Sequence, residues 1–342
     1  MCKLTMQDIA DALSTSRVTV WKALNNRPGV SDTLRRQIQE KAREMGYAPA
    51  GAVPLAEPET PHGRNVAVVV CRPESSLFWM QIIHQIAKDL SEQSVNLMYT
   101  YLPTSCKEGY VLPGSLTDGS VEGIIVLNVY SEQLLTMLAA LPQPKVYLDT
   151  IPTLPFSGLH GDLLLIEGRA SLRQITGRLL NQGRTRLGFL GDVNYAQTNT
   201  DRYQGFLDAF AERGLKPDPA LCLTGPLGLR THYEEISYFL EHLPARPDGF
   251  VCVSDYIAHF IQRYFEEHGT DPEGRIALTG FDNNAEYLNV AERITTVEVH
   301  PKTLGARLAN KILFLLEHPG VGREVSYAAT EVLYRGLLAG QD

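Results

Sequence analysis

The sequence predicts an α/β chain of two lobes, each a parallel sheet covered by helices on both faces, behind a small all-α head. Three observations carry this. Beyond about residue 65, strand-like apolar runs alternate with longer amphipathic segments, the pattern of βα repeats closing a buried parallel sheet. The first 47 residues contain three short helical patterns and no strand pattern. Between them, residues 48–64 (APAGAVPLAEPETPHGR) hold four prolines and two glycines, the composition of a partly extended linker.

In the head, Thr5 is placed to cap a first helix, with Asp8 three residues on in a capping-box arrangement. Ile9 and Leu13 follow on one face, and Ser14-Thr15-Ser16 makes a polar break of turn length. Ser16 caps a second helix from Arg17 to about Asn25, with Val20 and Leu24 facing inward. Arg27-Pro28-Gly29 breaks the chain, and Ser31 caps a third helix striped by Leu34, Ile38, Ala42 and Met45. Past the linker, strands are expected over residues 66–71, 95–101, 123–127, 146–149, 187–191, 250–253 and 276–280. Helices are expected over 80–92, 132–140, 169–181, 203–213, 256–268 and 301–317. A chain of 342 residues is too long for one ordinary domain, and this much βα alternation calls for two lobes rather than one.

Composition narrows the function classes. A hydrophobic fraction of 44% with 20% charged residues is that of a globular chain, not a disordered one. The five cysteines (Cys2, Cys71, Cys106, Cys222, Cys252) are scattered and form no C-x-x-C pair, so a reducing compartment is expected. The opening MCKLTMQDIADAL has acids and no apolar run of signal-peptide length, and no stretch approaches a membrane span, so a cytoplasmic chain with no membrane partner is expected. The net charge of −8 is unevenly distributed. Residues 1–50 hold eight bases and five acids, which leaves −11 on the remainder. A compact basic head on an acidic body is the footprint of a nucleic-acid reader joined to something else.

Helix, short turn and helix within about twenty residues of a basic head make a helix-turn-helix candidate. The outward face of its second helix carries Arg17, Val18, Trp21 and Lys22. Arg and Lys bond guanine O6 and N7, and Val18 suits a thymine methyl. Ser16, Thr19 and Asn25 are short polar residues suited to phosphate oxygens. Trp21 either lies against sugar and base edges or packs back on the head's own core. A three-helix bundle docking on a partner protein is the plainer alternative.

These residues carry a specific resemblance. Thr5-Met6-Gln7-Asp8-Ile9-Ala10, Ser16-x-x-Thr19-Val20-x-Lys22-Ala23-Leu24-Asn25, Val30-Ser31 and Met45-Gly46-Tyr47-x-Pro49 resemble the N-terminus of the LacI/GalR family of bacterial transcription regulators. Glu122-Gly123-Ile124-Ile125, Asp162, Asn181-x-Gly183-x-x-x-Leu187-Gly188-Phe189-Leu190-Gly191, Arg202-x-x-Gly205-Phe206, Ser254-Asp255, Gly280-Phe281-Asp282, Ile294-Thr295-Thr296-Val297 and Arg335 continue the likeness in order to the chain end. The resemblance implies a two-lobed, periplasmic-binding-protein-like sensor with its ligand in the cleft, and a homodimer on operator DNA. It places the head at 1–48, a hinge at 49–64 and the sensor at 65–342. Within the sensor, the first lobe is expected at about 65–160 and 297–322, the second at about 161–296 and 323–342. It implies DNA contacts at Thr5, Ser16, Arg17, Val18, Thr19, Trp21, Lys22, Asn25, Ser31, Tyr47 and Leu55. It implies effector contacts at Arg202, Asp255 and Asp282, with Phe78 and Trp79 at the cleft mouth. An Arg fork and Asp acceptors suit the vicinal hydroxyls of a sugar or sugar derivative. The alternative for Arg202 and Asp282 is an interlobe ion pair, and for the two rings it is packing at a helix start.

The sequence departs from the family at three places. Ser14 stands where a turn glycine is usual, and Trp21 where a recognition-helix serine is. In the hinge, the position of the family's minor-groove leucine holds Ala56, with Leu55 one residue off and Pro54 and Pro58 flanking. Those prolines oppose a continuous hinge helix, so residues 50–60 are expected to be non-helical without DNA. A doubly wound enzyme is the first rival, but G-x-G-x-x-G after a strand, G-x-x-x-x-G-K-[ST], G-x-S-x-G and H-E-x-x-H are all missing. His160, His232, His242, His259, His268 and His300 lie outside metal-ligand spacing, so neither metal nor cofactor is expected. A transporter's solute-binding protein is the second rival, and the basic head has no role there.

Overall fold

The computed structural model describes residues 5–24, 27–45, 47, 64–71, 76–228, 231–271 and 273–340. The chain divides into two compact units, residues 1–62 and 63–342.

The first unit is the three-helix head: α1 (Met6–Ala12), α2 (Arg17–Leu24) and α3 (Asp32–Glu44). Ile9, Ala10, Val20, Ala23, Ile38 and Ala42 form its core, with Leu13, Leu24, Leu34 and Met45 packed against it; all but Ala10 and Ala23 belong to the stripes expected from the 3.6-residue period. Asp8 reaches back to cap Thr5, with its Oδ2 2.7 Å from the Thr5 amide. Ser16 Oγ accepts the Thr19 amide at 3.1 Å and Ser31 Oγ the Leu34 amide at 3.4 Å, so all three expected helix starts are formed. Ser14 adopts a left-handed backbone (φ 50°), the conformation that makes glycine the usual residue at this turn.

The second unit runs β1 (Asn65–Val70), α4 (Leu77–Glu92), β2 (Asn96–Tyr101), α5 (Gly114–Thr117), β3 (Gly123–Leu127), α6 (Glu132–Ala139), β4 (Lys145–Leu148), α7 (Phe156–Leu159) and β5 (Asp162–Ile166). It continues through α8 (Arg169–Asn181), β6 (Leu187–Leu190), α9 (Gln197–Ala211), α10 (His232–Glu241), β7 (Gly249–Cys252), α11 (Asp255–His268) and β8 (Ala277–Thr279). It closes with β9 (Thr296–Glu298), α12 (Pro301–Glu317), β10 (Val325–Ala328) and β11 (Glu331–Leu333). Six parallel strands in the order β10-β5-β4-β3-β1-β2 build the first lobe. β6, β7 and β8 form the parallel sheet of the second. Alternate residues of one strand serve opposite faces: Val66, Val68 and Val70 join one core, Ala67 and Val69 the other.

The lobe boundary differs from the expected one. Residues 161–166 and 323–328 were expected in the second lobe. Instead β5 pairs with β4 (Val146↔Asp162, Leu148↔Leu164) and β10 pairs with β5 (Val325↔Leu163), which extends the first sheet by two strands. Leu163, Leu164 and Leu165 are buried on both faces, a burial reached only as interior residues of a sheet. The chain therefore crosses between lobes after Ile166, after Glu298 and after Ala328. The last two crossings are tied together by the antiparallel pair β9 and β11. Helices α4 and α9 also start earlier than expected, at Leu77 and Gln197; the first turn of α9 is polar and carries no apolar stripe.

Candidate functional site

Two surfaces of the chain concentrate functional chemistry. On the head, the outer face of α2 presents exposed Arg17, Val18 at 61% and Trp21 at 44%, with Lys22 half-buried beside them. Trp21 thus stands on the outward face, and the head core is built without it. Ser16 is exposed and Thr19 half-buried, and their hydroxyls lie 2.8 Å apart at the helix start. Thr5 and Ser31 are exposed helix caps. Tyr47 packs against the head core rather than standing free of it. Asn25, Leu55 and Ala56 lie outside the described residues. Sequence reasoning missed Arg35 of α3. Its Nη1 donates to the carbonyls of Lys22 and Ala23 at 3.3 Å, and its Nη2 to that of Arg27 at 2.8 Å. The guanidinium closes the C-terminal end of α2, where unpaired carbonyls and the helix dipole favour a cation.

Between the two lobes of the second unit lies a cavity of about 580 Å³, within the range of small-molecule sites. Phe78, Trp79, Asn128, Tyr130 and Asp149 line it from the first lobe; Asp192, Tyr195, Thr198, Arg202, Tyr256, Asp282 and Tyr287 line it from the second. Asn128 and Asp149 directly follow the ends of β3 and β4, and Asp282 lies three residues past β8. All three hold left-handed backbones (φ 53°, 69° and 96°), a strain of about 1 kcal/mol each that turns polar side chains into the cleft beyond the strand ends.

Arg202 is 6% exposed. Its Nη1 donates to the Val253 carbonyl at 2.7 Å, its plane lies 3.6 Å over the Phe281 ring, and its Nη2 is 3.7 Å from Asp282 Oδ1. The ion pair therefore lies within the second lobe, not between the lobes as the alternative had it, and both its partners line the cavity. Burial pushes the Asp282 carboxyl up, and Arg202 pulls it back. Across the cleft, Asp149 Oδ2 accepts the Thr198 hydroxyl at 2.5 Å and Tyr130 OH at 3.4 Å, and its Oδ1 accepts the Thr150 amide at 2.8 Å. Burial raises the Asp149 carboxyl, opposed chiefly by the Thr198 hydrogen bond. The Gln197 amide donates to the Thr150 carbonyl at 2.7 Å, a second bond between lobes. A third joins Glu286 to the Leu77 amide at the start of α4 (3.2 Å).

Phe78 and Trp79 meet edge to face at 5.4 Å on the cavity wall. Asp255 does not face the cavity. Its Oδ1 accepts the Thr296 hydroxyl at 2.7 Å and its Oδ2 the Asn284 amide at 2.7 Å, so it anchors the crossover strand β9. Burial, reinforced by the charge of Asp282, pushes its carboxyl up to about 7. The signal for the missed Asn128 and Asp149 was positional: each is the polar residue that ends an expected apolar strand.

A family profile described as periplasmic binding protein-like domain matches residues 176–336. The HTH-type transcriptional regulator GalR of Escherichia coli is 24% identical over 92% of this chain and 90% of its own. A transcriptional regulator CelR–cellobiose complex superposes with a TM-score of 0.70 at 21% identity, covering 98% of this chain and all of that one. A Lac repressor dimer bound to operator and the anti-inducer ONPF superposes with a TM-score of 0.66 at 16% identity, covering 99% and 100%. These two likenesses show the shared fold. The relatives are regulators rather than enzymes, and the sequence match runs from head to sensor. Over most of its length this chain is thus similar to bacterial transcription regulators such as GalR, and residues 176–336 form a periplasmic binding protein-like domain.

Proposed function

We propose that the protein is a cytoplasmic repressor of carbohydrate-related genes. It binds a pseudo-palindromic operator as a homodimer and responds to a small polyhydroxylated molecule, a sugar or sugar derivative, held between its lobes. The observation that carries this reading is the interlobe cavity. Acceptors (Asp149, Asp282) and a donor fork (Arg202) converge there with ring faces (Trp79, Tyr130, Tyr195), the complement of a sugar's hydroxyls and its apolar face. The relative solved with cellobiose and the relative solved on operator DNA support the two halves of the proposal. A ligand that prefers one lobe arrangement shifts that population, and the DNA affinity of the heads shifts with it. Two-fold assembly matches two operator half-sites, each read by Arg17, Val18, Trp21 and Lys22 of one α2.

The test joins a thermal-shift screen of neutral sugars on the full chain to operator binding with and without each hit. The expected result is a stabilising sugar that also changes operator affinity, from a chain that sediments as a dimer. A monomer at micromolar concentration, or a sugar that binds without altering operator affinity, contradicts the proposal.

A further inference from the structure

We infer that the cavity selects an uncharged, ring-bearing ligand and rejects its phosphorylated or carboxylated counterparts. This rests on the reading of the cleft as the effector site and adds the charge class of the effector.

Two independent features lead there. The first is the charge balance of the walls. Among the described residues, Asp149, Asp192 and Asp282 line the cavity, and Arg202 is the lining residue with a permanent positive charge. Arg202 is already committed, to the Val253 carbonyl, to the Phe281 ring and to Asp282. Its pairing with Asp282 leaves the carboxylates of Asp149 and Asp192 in excess. An anion entering this space meets like charge in a partly desolvated site, where screening is weak.

The second feature is the helix ends. Helix N-termini are the usual way a βα fold holds a phosphate, because their amides are unpaired and the dipole is positive. Helices α4, α9, α10 and α11 all begin at or beside this cavity. Each already has a carboxylate of the protein at that end. Glu286 takes the Leu77 amide of α4, and Asp149 Oδ1 takes the Thr198 amide of α9 at 3.3 Å. Asp255 is the first residue of α11, and Glu234 and Glu235 sit in the first turn of α10. At α4 and α9 the amides where a phosphate would gain most are thus taken by the chain's own acids, and at α10 and α11 an acid in the first turn opposes an added anion. The remaining lining residues are rings, neutral hydrogen-bonding groups and aliphatic side chains, which recognise hydroxyls and a sugar face without requiring charge.

The sequence supplies a local reporter. The chain has two tryptophans, Trp21 in the head and Trp79 on the cavity wall. In a Trp21→Phe protein, tryptophan emission reports the cavity alone. Matched pairs are titrated into it: glucose and glucose 6-phosphate, galactose and galacturonate, ribose and ribose 5-phosphate, cellobiose and cellobionate, with inorganic phosphate as the bare anion. The expected result is that any neutral member that changes Trp79 emission binds at least about tenfold more tightly than its anionic partner, the scale of one like-charge contact in such a site. Inorganic phosphate is expected to leave the emission unchanged. Asp192→Asn should narrow the gap within a pair. A phosphate ester, an acid sugar or phosphate itself that binds as tightly as the neutral partner overturns the inference. If no neutral sugar and no anion changes the emission, the sugar reading of the cleft falls and the selectivity inferred from it falls with it, whereas an anion that binds overturns the selectivity alone.

Discussion

Replacing Asp255 by asparagine separates a structural anchor from a ligand contact. In the folded chain the carboxyl is buried and held at about 7, far above the ordinary 3.8, with desolvation as the largest cause and the Asp282 charge next. Because folding raises this value, the group's contribution to stability is complete in acid, below about 4, and is lost as pH rises toward 7. A displacement of that size corresponds to a loss on the order of 4 kcal/mol between those pH values. The substituted side chain would keep one acceptor for the Asn284 amide, and its NH₂ group would donate to the Thr296 hydroxyl, which can accept as well as donate. Asp255→Asn is therefore expected to match the wild type near pH 4 and to exceed it in stability near pH 8. Removing the charge also eases ionisation of Asp282, which adds to the difference at neutral pH. The assay is denaturant unfolding of both full-length proteins from pH 4 to 8, followed by titration with any effector found by the screen. Parallel stability curves, with less than about 1 kcal/mol of divergence, would refute the burial argument. A loss of effector affinity of tenfold (about 1.4 kcal/mol) or more would instead return Asp255 to the ligand site.

Three further outcomes follow from contacts elsewhere. Thr198→Val keeps the shape of the side chain but removes the hydroxyl from the buried Asp149 carboxylate. It should cost about 1.5–3 kcal/mol in unfolding experiments, and a cost near zero would mean that water replaces it. Arg35→Ala leaves three carbonyls at the end of α2 without their cation. It should destabilise the head by about 1–3 kcal/mol and weaken binding to all DNA sequences alike, checked by melts of the head signal and by binding to operator and random DNA. Arg17→Ala and Lys22→Ala should instead relax base preference, each at about 1–3 kcal/mol per lost bidentate contact, and unchanged preference in both variants would move the reading face off α2.

Local signals in the chain were enough for the head. Caps at Thr5, Ser16 and Ser31 and the stripe of Ile9, Val20, Ile38 and Ala42 are short-range patterns, and each helix forms where those patterns place it. The alternation of strands and helices was equally legible, because a strand buried on both faces reads as a continuous apolar run. What the sequence left open depends on partners far along the chain. Whether 162–166 belongs to one lobe or the other is decided by pairing with 146–148 and 325–328, and an apolar run carries no mark of its neighbours. The same holds for side-chain roles. Arg202 and Asp282 are recognisable by motif, yet only the fold brings Asp149 from the end of β4 against Thr198 of α9 and turns Asp255 away from the cavity toward β9. Sequence alone placed the head helices and most of the buried strands, because those follow from local periodicity and capping. Tertiary structure decided which carboxylates line the cavity and which hold the crossover strand β9, because that depends on contacts between residues 41 and 49 positions apart.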